Sequence, residues 1–549
     1  MNIKEIFSNV TLYNIEALEK KLNIEANECN LSELLVLAYE KWGEGIFSHL
    51  DGDYAFAFYS AESNYYFAAR DPLGIKALYY TKTPHGYEFA STITELLDLT
   101  DVLREPNINA MKSILNSREV AYENTMYDGV YRVPPGYFIR IIDDTLECIR
   151  YWYPEKIKRD YHITEDEAKE KLNKLLSQAI DKRVASLDET GFQVSGGLDS
   201  SSIVSILSKN VTKKVAKKID SYSIGLKGLK CDEGEYVDSI IEKYSINHKK
   251  VSCEALDYHE KYALSKLYAI SGDWPIMFSS AKGLAMSSVM KSDSKKVILT
   301  GQGGDELLAM NAYTFYELFI RGKFITLYRE LTFVSKPWRT IKRRIIKPLV
   351  GEKNIEIIKT ILRKERYKNR DKILNFSDKI GLSEGSFKSD IDAITSVLHT
   401  TVLDANFLHP TETEFNVEFR HPFYDLKLVE FSLSLPPIFK YTNGQSKWIL
   451  RKAMKDILPD MINNRKDKAE FSEMIVQQIA ALNLSALLDD AYIVKLGVID
   501  QTGVDTIRKN YEEMRVKKPF HIWGLINMEY WYRFNFEKAS LKDVDKKEV

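Results

Sequence analysis

Ser195-Gly196-Gly197-Leu198-Asp199-Ser200-Ser201 is the stretch on which the reading of this chain turns. A short apolar segment, Gly191-Phe192-Gln193-Val194, precedes it, and a helix-like run from Ile203 to Leu207 follows. Strand, glycine turn and helix form a layout suited to holding phosphate. Two glycines let backbone N–H groups approach an anion closely, and the start of the helix adds the positive end of its dipole. Ser195, Ser200 and Ser201 can donate hydroxyl hydrogen bonds to phosphate oxygens. Asp199 repels phosphate directly but makes sense as a ligand for a bridging Mg²⁺. The stretch is not the G-x-x-x-x-G-K-[ST] loop, since no lysine follows the glycines. A serine- and glycine-rich turn that merely caps a helix would use the same residues, so the surrounding pattern has to decide.

That pattern extends in both directions. Residues 1–153 read as strand-rich, with alternating apolar and aromatic runs separated by turns such as Asp51-Gly52, Asp71-Pro72 and Pro134-Pro135-Gly136. A domain boundary is expected near Tyr153-Pro154. Thr164-Glu165-Asp166-Glu167 is a capping box, after which Leu172, Leu175, Leu176 and Ala179 recur at helical spacing. Strands expected near 191–194, 219–224 and 296–299 alternate with helices, which argues for a parallel sheet covered on both faces. Ligands of such sheets sit at the carboxyl ends of the strands, where the glycine-bearing loops fall. Beyond about residue 310 the chain reads as mostly helical.

Ser195 to Ser201 is the hallmark of the PP-loop ATP pyrophosphatases, which split ATP between its α- and β-phosphates. Further segments follow in order: Ser221 to Gly225; Asp232-Glu233 with Tyr236; Thr300-Gly301-Gln302-Gly303-Gly304-Asp305-Glu306; Glu418 to Phe423; Gly444 to Arg451; and Arg465 to Ser472. In that order they resemble the synthetase domain of the asparagine synthetase family. The N-terminal segments Trp42-Gly43-Glu44, Leu50 to Phe58 and Ala69 to Lys76 resemble its glutamine-hydrolysing domain. The resemblance implies a mixed α/β and α+β chain. An Ntn-hydrolase-like, β-rich sandwich (1–153), a degenerate class II glutamine amidotransferase domain, would precede an adenine-nucleotide α-hydrolase-like parallel-sheet domain with a helical C-terminal extension (154–549). It also implies ATP and Mg²⁺ as cofactors. Ser195, Gly196, Gly197, Ser200 and Ser201 would cradle the β- and γ-phosphates, and Asp199 and Asp305 would hold the metal. Gln193, Ile224, Thr300 and Gly301 match the family's nucleotide contacts, although Gln193 is polar where asparagine synthetases tend to be apolar. Lys468 matches the lysine that stabilises charge in the amide-forming step.

Two departures shape the functional expectation. The family's glutaminase nucleophile is an N-terminal cysteine, whereas this sequence opens Met1-Asn2-Ile3 and its first cysteine is Cys29. The front of that domain is expected to be missing and its glutaminase activity lost, leaving free ammonia or a substrate amine as the nitrogen source. Gln302 stands where asparagine synthetases usually carry glutamate and β-lactam synthetases a tyrosine. A neutral amide cannot take a proton, which argues against both of those reactions. Lys447 to Arg451, Asp467 to Ser472 and Trp523 to Arg533 look most like the cyclases that close lasso peptides. The expected activity is therefore an ATP-dependent carbon–nitrogen ligase that adenylates a carboxylate for attack by an amine, with lasso-type macrolactam closure as first choice. Ammonia-dependent asparagine synthesis, or another asparagine-synthase-related amide or β-lactam synthetase, is the alternative; a non-catalytic or tRNA-directed nucleotide binder comes third.

Composition agrees with an enzyme: 549 residues, 44% hydrophobic, 28% charged, net charge −1. Cys29, Cys148, Cys231 and Cys253 show no metal or disulfide spacing, and no apolar run is long enough to span a membrane. The cytoplasm is the expected location. One segment breaks the charge balance: residues 336–372 carry 14 Lys or Arg against 4 acids. It reads either as a solvated helical face or as a docking surface for an acidic precursor peptide, a leader peptidase or a peptide-recognition partner. With only Trp338 and Tyr367 for base stacking, nucleic acid is not expected.

Overall fold

The strand-rich reading of the first 153 residues corresponds to two packed antiparallel sheets in a computed structural model of the chain. The structure describes residues 3–25, 28–99, 101–115, 123–211, 218–225, 232–252, 280–310, 313–346, 414–466, 472–480, 482–514 and 519–541, with isolated positions between them. The larger sheet orders β1 (Ile3–Leu12), β2 (Gly52–Ser60), β3 (Tyr65–Arg70), β7 (Tyr137–Ile142) and β8 (Thr145–Arg150). The smaller one orders β5 (Gly86–Ala90), β4 (Tyr79–Thr83) and β6 (Val130–Arg132). Period-two patterning in β2 explains the layering. Tyr54, Phe56 and Phe58 pack with the helix Leu31–Trp42, while Ala55 and Ala57 face Leu78 and Tyr80 of the second sheet's side. Small residues on one face let the two sheets approach, and the result is a sandwich.

The second unit is built on a five-stranded, wholly parallel sheet. Its order is β11 (Asn247–Ser252), β10 (Asp220–Gly225), β9 (Thr190–Gln193), β12 (Val297–Leu299) and β13 (Glu418–Arg420). The expected capping box is present: Thr164 Oγ1 accepts from Glu167 N, the Glu167 carboxylate accepts from Thr164 N, and the helix Glu165–Asp181 follows. β11 and β13 are additions to the expected sheet. Both are edge strands, rich in Lys, His, Glu and Arg, so neither carries an apolar run to reveal it. The helical C-terminal part centres on Pro519–Phe536. There the buried Trp531 ring meets Tyr127 of the N-terminal part edge-on at 5.2 Å, so one apolar cluster joins both ends of the chain.

The two parts also share a buried ionic seam. Lys76 Nζ lies 2.9 Å from Glu418 Oε1 on β13, and Thr11 donates to the same carboxylate. Arg183 pairs with Asp425 at 3.1 Å and stacks its guanidinium on Tyr13, 4.5 Å from the ring centre. Such a junction needs every partner in place, because a desolvated charge without its counter-ion is costly. No described helix is long and apolar enough to cross a membrane.

Candidate active site

Three loops converge at the carboxyl ends of β9, β12 and β13. The first leaves β9 through Ser195-Gly196-Gly197 and enters the helix Leu198–Asn210, whose N-cap Gly197 supplies no side chain. Gly196 has φ +72°, and a Cβ there would sit 2.7 Å from Tyr236 Cβ, so glycine is required on both counts. Ser200 Oγ accepts from Ser195 N and lies 3.1 Å from Ser195 Oγ, which itself accepts from Gly197 N at 3.3 Å. These bonds hold the turn open while the N-terminal N–H groups of the helix receive no side-chain cap, an arrangement matched to an anion. Ser201 is fully buried.

The second loop, Thr300 to Gly304, lies directly on the first. A Cβ on Gly301 would fall 2.5 Å from Ser200 N, and one on Gly304 would fall 2.4 Å from Asp199 Cγ. Glycine at these two places is what lets Asp199 and Asp305 reach one point. Beside it the ammonium of Lys447 meets one oxygen of each carboxylate, bonding Asp199 Oδ2 and lying 2.8 Å from Asp305 Oδ1. Lys447 follows the hairpin β14 (Tyr441–Thr442) and β15 (Gln445–Ser446), and its own backbone is left-handed, at φ +58°. Burial pulls its pKa down most strongly, but the two carboxylates together outweigh burial and the net shift is upward. Its charge is fixed.

The neighbours are tuned as well. Burial first, then Asp305 and Asp199, raise the Glu306 carboxyl above the usual range. His421, at the end of β13, meets Thr300 Oγ1 through Nδ1 at 2.7 Å; burial lowers its pKa to about 4, leaving a neutral ring. Arg465 pairs with Glu233, reaches the carbonyl of Gly196 at 3.4 Å and lies 4.0 Å above the Tyr236 ring, roofing the glycine turn with positive charge. Gln193 ends β9 and Ile224 is the last residue but one of the adjacent β10, both half-buried.

Ser195, Gly196, Gly197, Asp199, Ser200, Thr300, Gly301 and Asp305 are thus brought into one cluster. Lys468 lies outside the described residues. Lys447, Arg465 and His421 join the site without a role that the sequence alone assigns them.

The residues present fit Mg²⁺. Among the described residues no cluster of three or more His, Cys, Asp or Glu could hold a metal alone. Two carboxylates beside a phosphate cradle suit a cation that completes its shell with phosphate oxygens and water. Fold and site together define an ATP-dependent carbon–nitrogen ligase with a phosphate-binding loop at the carboxyl edge of a parallel sheet. The chain matches the asparagine synthase family model over residues 171–533 and the glutamine amidotransferase domain model over residues 3–152, and it belongs to the asparagine synthase family. It is 25% identical over 489 residues to asparagine synthetase [glutamine-hydrolyzing] 3 of Bacillus subtilis, covering 84% of this chain and 74% of that protein. Asparagine synthetase [glutamine-hydrolyzing] 1 of the same organism is 24% identical, covering 98% and 87%. Amidase chyE of Penicillium rubens is 25% identical, covering 80% and 72%.

Proposed function

We propose that this ligase adenylates a carboxylate and passes the acyl group to an amine of the same peptide, closing a lasso-type macrolactam in the cytoplasm. The observation that carries the reading is the Asp199–Lys447–Asp305 cluster set against the glycine turn. A carboxylate oxygen attacks the α-phosphorus and pyrophosphate leaves; the amine nitrogen then attacks the acyl carbon, AMP leaves, and one proton passes to a base. Bound Mg²⁺ would supply charge neutralisation for the leaving pyrophosphate, held by Asp199 and Asp305. Ser195, Ser200 and the turn's N–H groups orient the phosphates, and Arg465 adds charge above them. The fixed ammonium of Lys447 is suited to stabilising negative charge on the acyl centre and the departing AMP. Glu306 is the acid whose raised pKa suits it to take the amine's proton, a task that neutral Gln302 cannot perform.

Glutamine is disfavoured as nitrogen source because neither described cysteine is an activated thiol, which leaves a substrate amine or free ammonia. Burial and then Glu33 raise Cys29, and burial raises Cys148 to about 11. The relatives named asparagine synthetase keep ammonia-dependent asparagine synthesis as the second reading. The two are separated by incubating the protein, ATP and Mg²⁺ with either a linear precursor peptide or aspartate plus ammonia. The proposal expects a peptide lighter by one water and no asparagine. Asparagine without a cyclised peptide contradicts it.

A further inference from the structure

Four short helices between Tyr313 and Ile346 pack with Tyr441 of β14 around a small core of Phe315, Leu318, Leu327 and Ile345. Its outer face is unusual. On the helix Phe324–Thr332, Leu327 and Glu330 point inward while Phe324, Ile325 and Tyr328 are 58%, 89% and 74% exposed. Phe333 and Trp338 continue the exposed apolar surface. Scattered exposed apolar residues are ordinary, but five large ones within fifteen residues are a concentration of the kind that marks interaction sites. The charge of the segment is one-sided. Residues 321–346 hold eight Lys or Arg and a single acid, Glu330, which is fully buried and paired with Arg329 at 3.0 Å. Lys323, Lys336, Arg339 and Lys342 are therefore exposed on a segment that presents no acid of its own.

This surface is joined to the reaction centre. Gly444 N donates to Glu330 at 3.4 Å, and a Cβ on Gly444 would fall 2.8 Å from Phe333 Cβ. Met310 N donates to Ser446 Oγ at 3.0 Å. Three residues after Gly444 the same hairpin delivers Lys447 to Asp199 and Asp305. A partner seated on Phe324, Ile325 and Tyr328 thus lies on the outer side of the helix whose inner side, through Glu330, holds the hairpin that positions the site's ammonium.

The geometry points to this face, 321–346, as the docking surface for an acidic peptide segment carrying apolar side chains, which holds a macromolecular substrate while its reacting carboxylate enters the site. The inference rests on the proposed peptide substrate. Charge complementarity selects an acidic partner, the aromatic and aliphatic side chains select an amphipathic one, and continuity with the Lys447 hairpin selects a substrate over a surface the enzyme merely rests on.

Fluorescence anisotropy with the full chain tests it, using a labelled synthetic peptide of Glu, Asp, Leu and Phe. The controls are a peptide with Lys in place of the acids, and vesicles of phosphatidylcholine with phosphatidylserine. The acidic peptide should bind, more tightly at low salt, and the basic peptide should not. Ile325→Ser/Tyr328→Ser, and separately Lys336→Glu/Arg339→Glu/Lys342→Glu, should each weaken binding about tenfold or more, with ATP binding and circular dichroism unchanged. Absent peptide binding, unaltered binding by both variants, or binding to the vesicles in preference to the peptide would overturn the inference, the last assigning the face to a membrane surface. Pyrophosphate release is measured in parallel. Its persistence when peptide binding fails removes the docking face alone, whereas its absence when the peptide binds removes the proposed chemistry.

Discussion

Lys447 brings together two separate structural demands. Its left-handed backbone is a conformation that a side-chain-bearing residue adopts at a cost of about 1–3 kcal/mol, and its ammonium is held by two carboxylates that would otherwise repel each other. Strain of that kind persists where the surrounding contacts fix it, and it accompanies functional positions. Lys447→Met removes the charge while keeping the length of the chain. Turnover should fall by about a thousandfold, the range seen when one pre-organised charge or donor is removed, with little change in KM for ATP because the phosphates rest on other groups. Steady-state kinetics of pyrophosphate release read both quantities. A variant with near-normal kcat would take Lys447 out of the chemistry. Lys447→Arg keeps the charge but not the compact geometry, and should recover only part of the rate.

At the scale of elements, the site depends on how closely two loops can approach. Gly304→Ala would place a methyl carbon 2.4 Å from Asp199 Cγ. Either the loop or the aspartate must then move, and both are tied to Lys447. The expected result is a well-folded protein with turnover reduced about a hundredfold and a raised Mg²⁺ requirement, measured by metal titration of activity. Wild-type metal dependence would show that Asp199 is not a ligand. These elements also show what could be read from the sequence. β9, β10 and β12 announce themselves by apolar runs ending in glycine or serine loops, so Ser195 to Ser201 and Thr300 to Asp305 were legible before any coordinates. β13 was not, because Glu418-Phe419-Arg420 has one apolar residue and its glutamate is met by Lys76 and Thr11, more than 340 positions away. Lys447 and Arg465 escaped for the same reason. Their partners Asp199, Asp305 and Glu233 are remote in sequence, and no local spacing encodes the contact.

Across the whole molecule, the N-terminal sandwich buttresses the edge strand that ends at His421. The junction is acid-sensitive for two separable reasons. Lys76 and then Arg420 overcome burial and hold the Glu418 carboxyl down at about 2, so its stabilising contribution is present above pH 4.5 and is lost as pH falls toward 2. Burial holds His421 neutral down to about 4, so the unfolded chain binds the extra proton first, and stability falls as pH drops from 6.5 toward 4. Each swing is worth about 3.5 kcal/mol at most, from roughly 1.4 kcal/mol per pKa unit. Urea midpoints should therefore decline continuously below pH 6.5, and His421→Asn should flatten the upper part of that decline. An unchanged slope in the variant would assign the acid sensitivity elsewhere. The central claim, cleavage of ATP at the α-phosphate to activate a carboxylate, is tested most directly by following ATP labelled in its α-phosphate through a single turnover with substrate and Mg²⁺. The account predicts that the label appears in AMP, with one pyrophosphate formed per amide bond; label in ADP, with orthophosphate released, would contradict it.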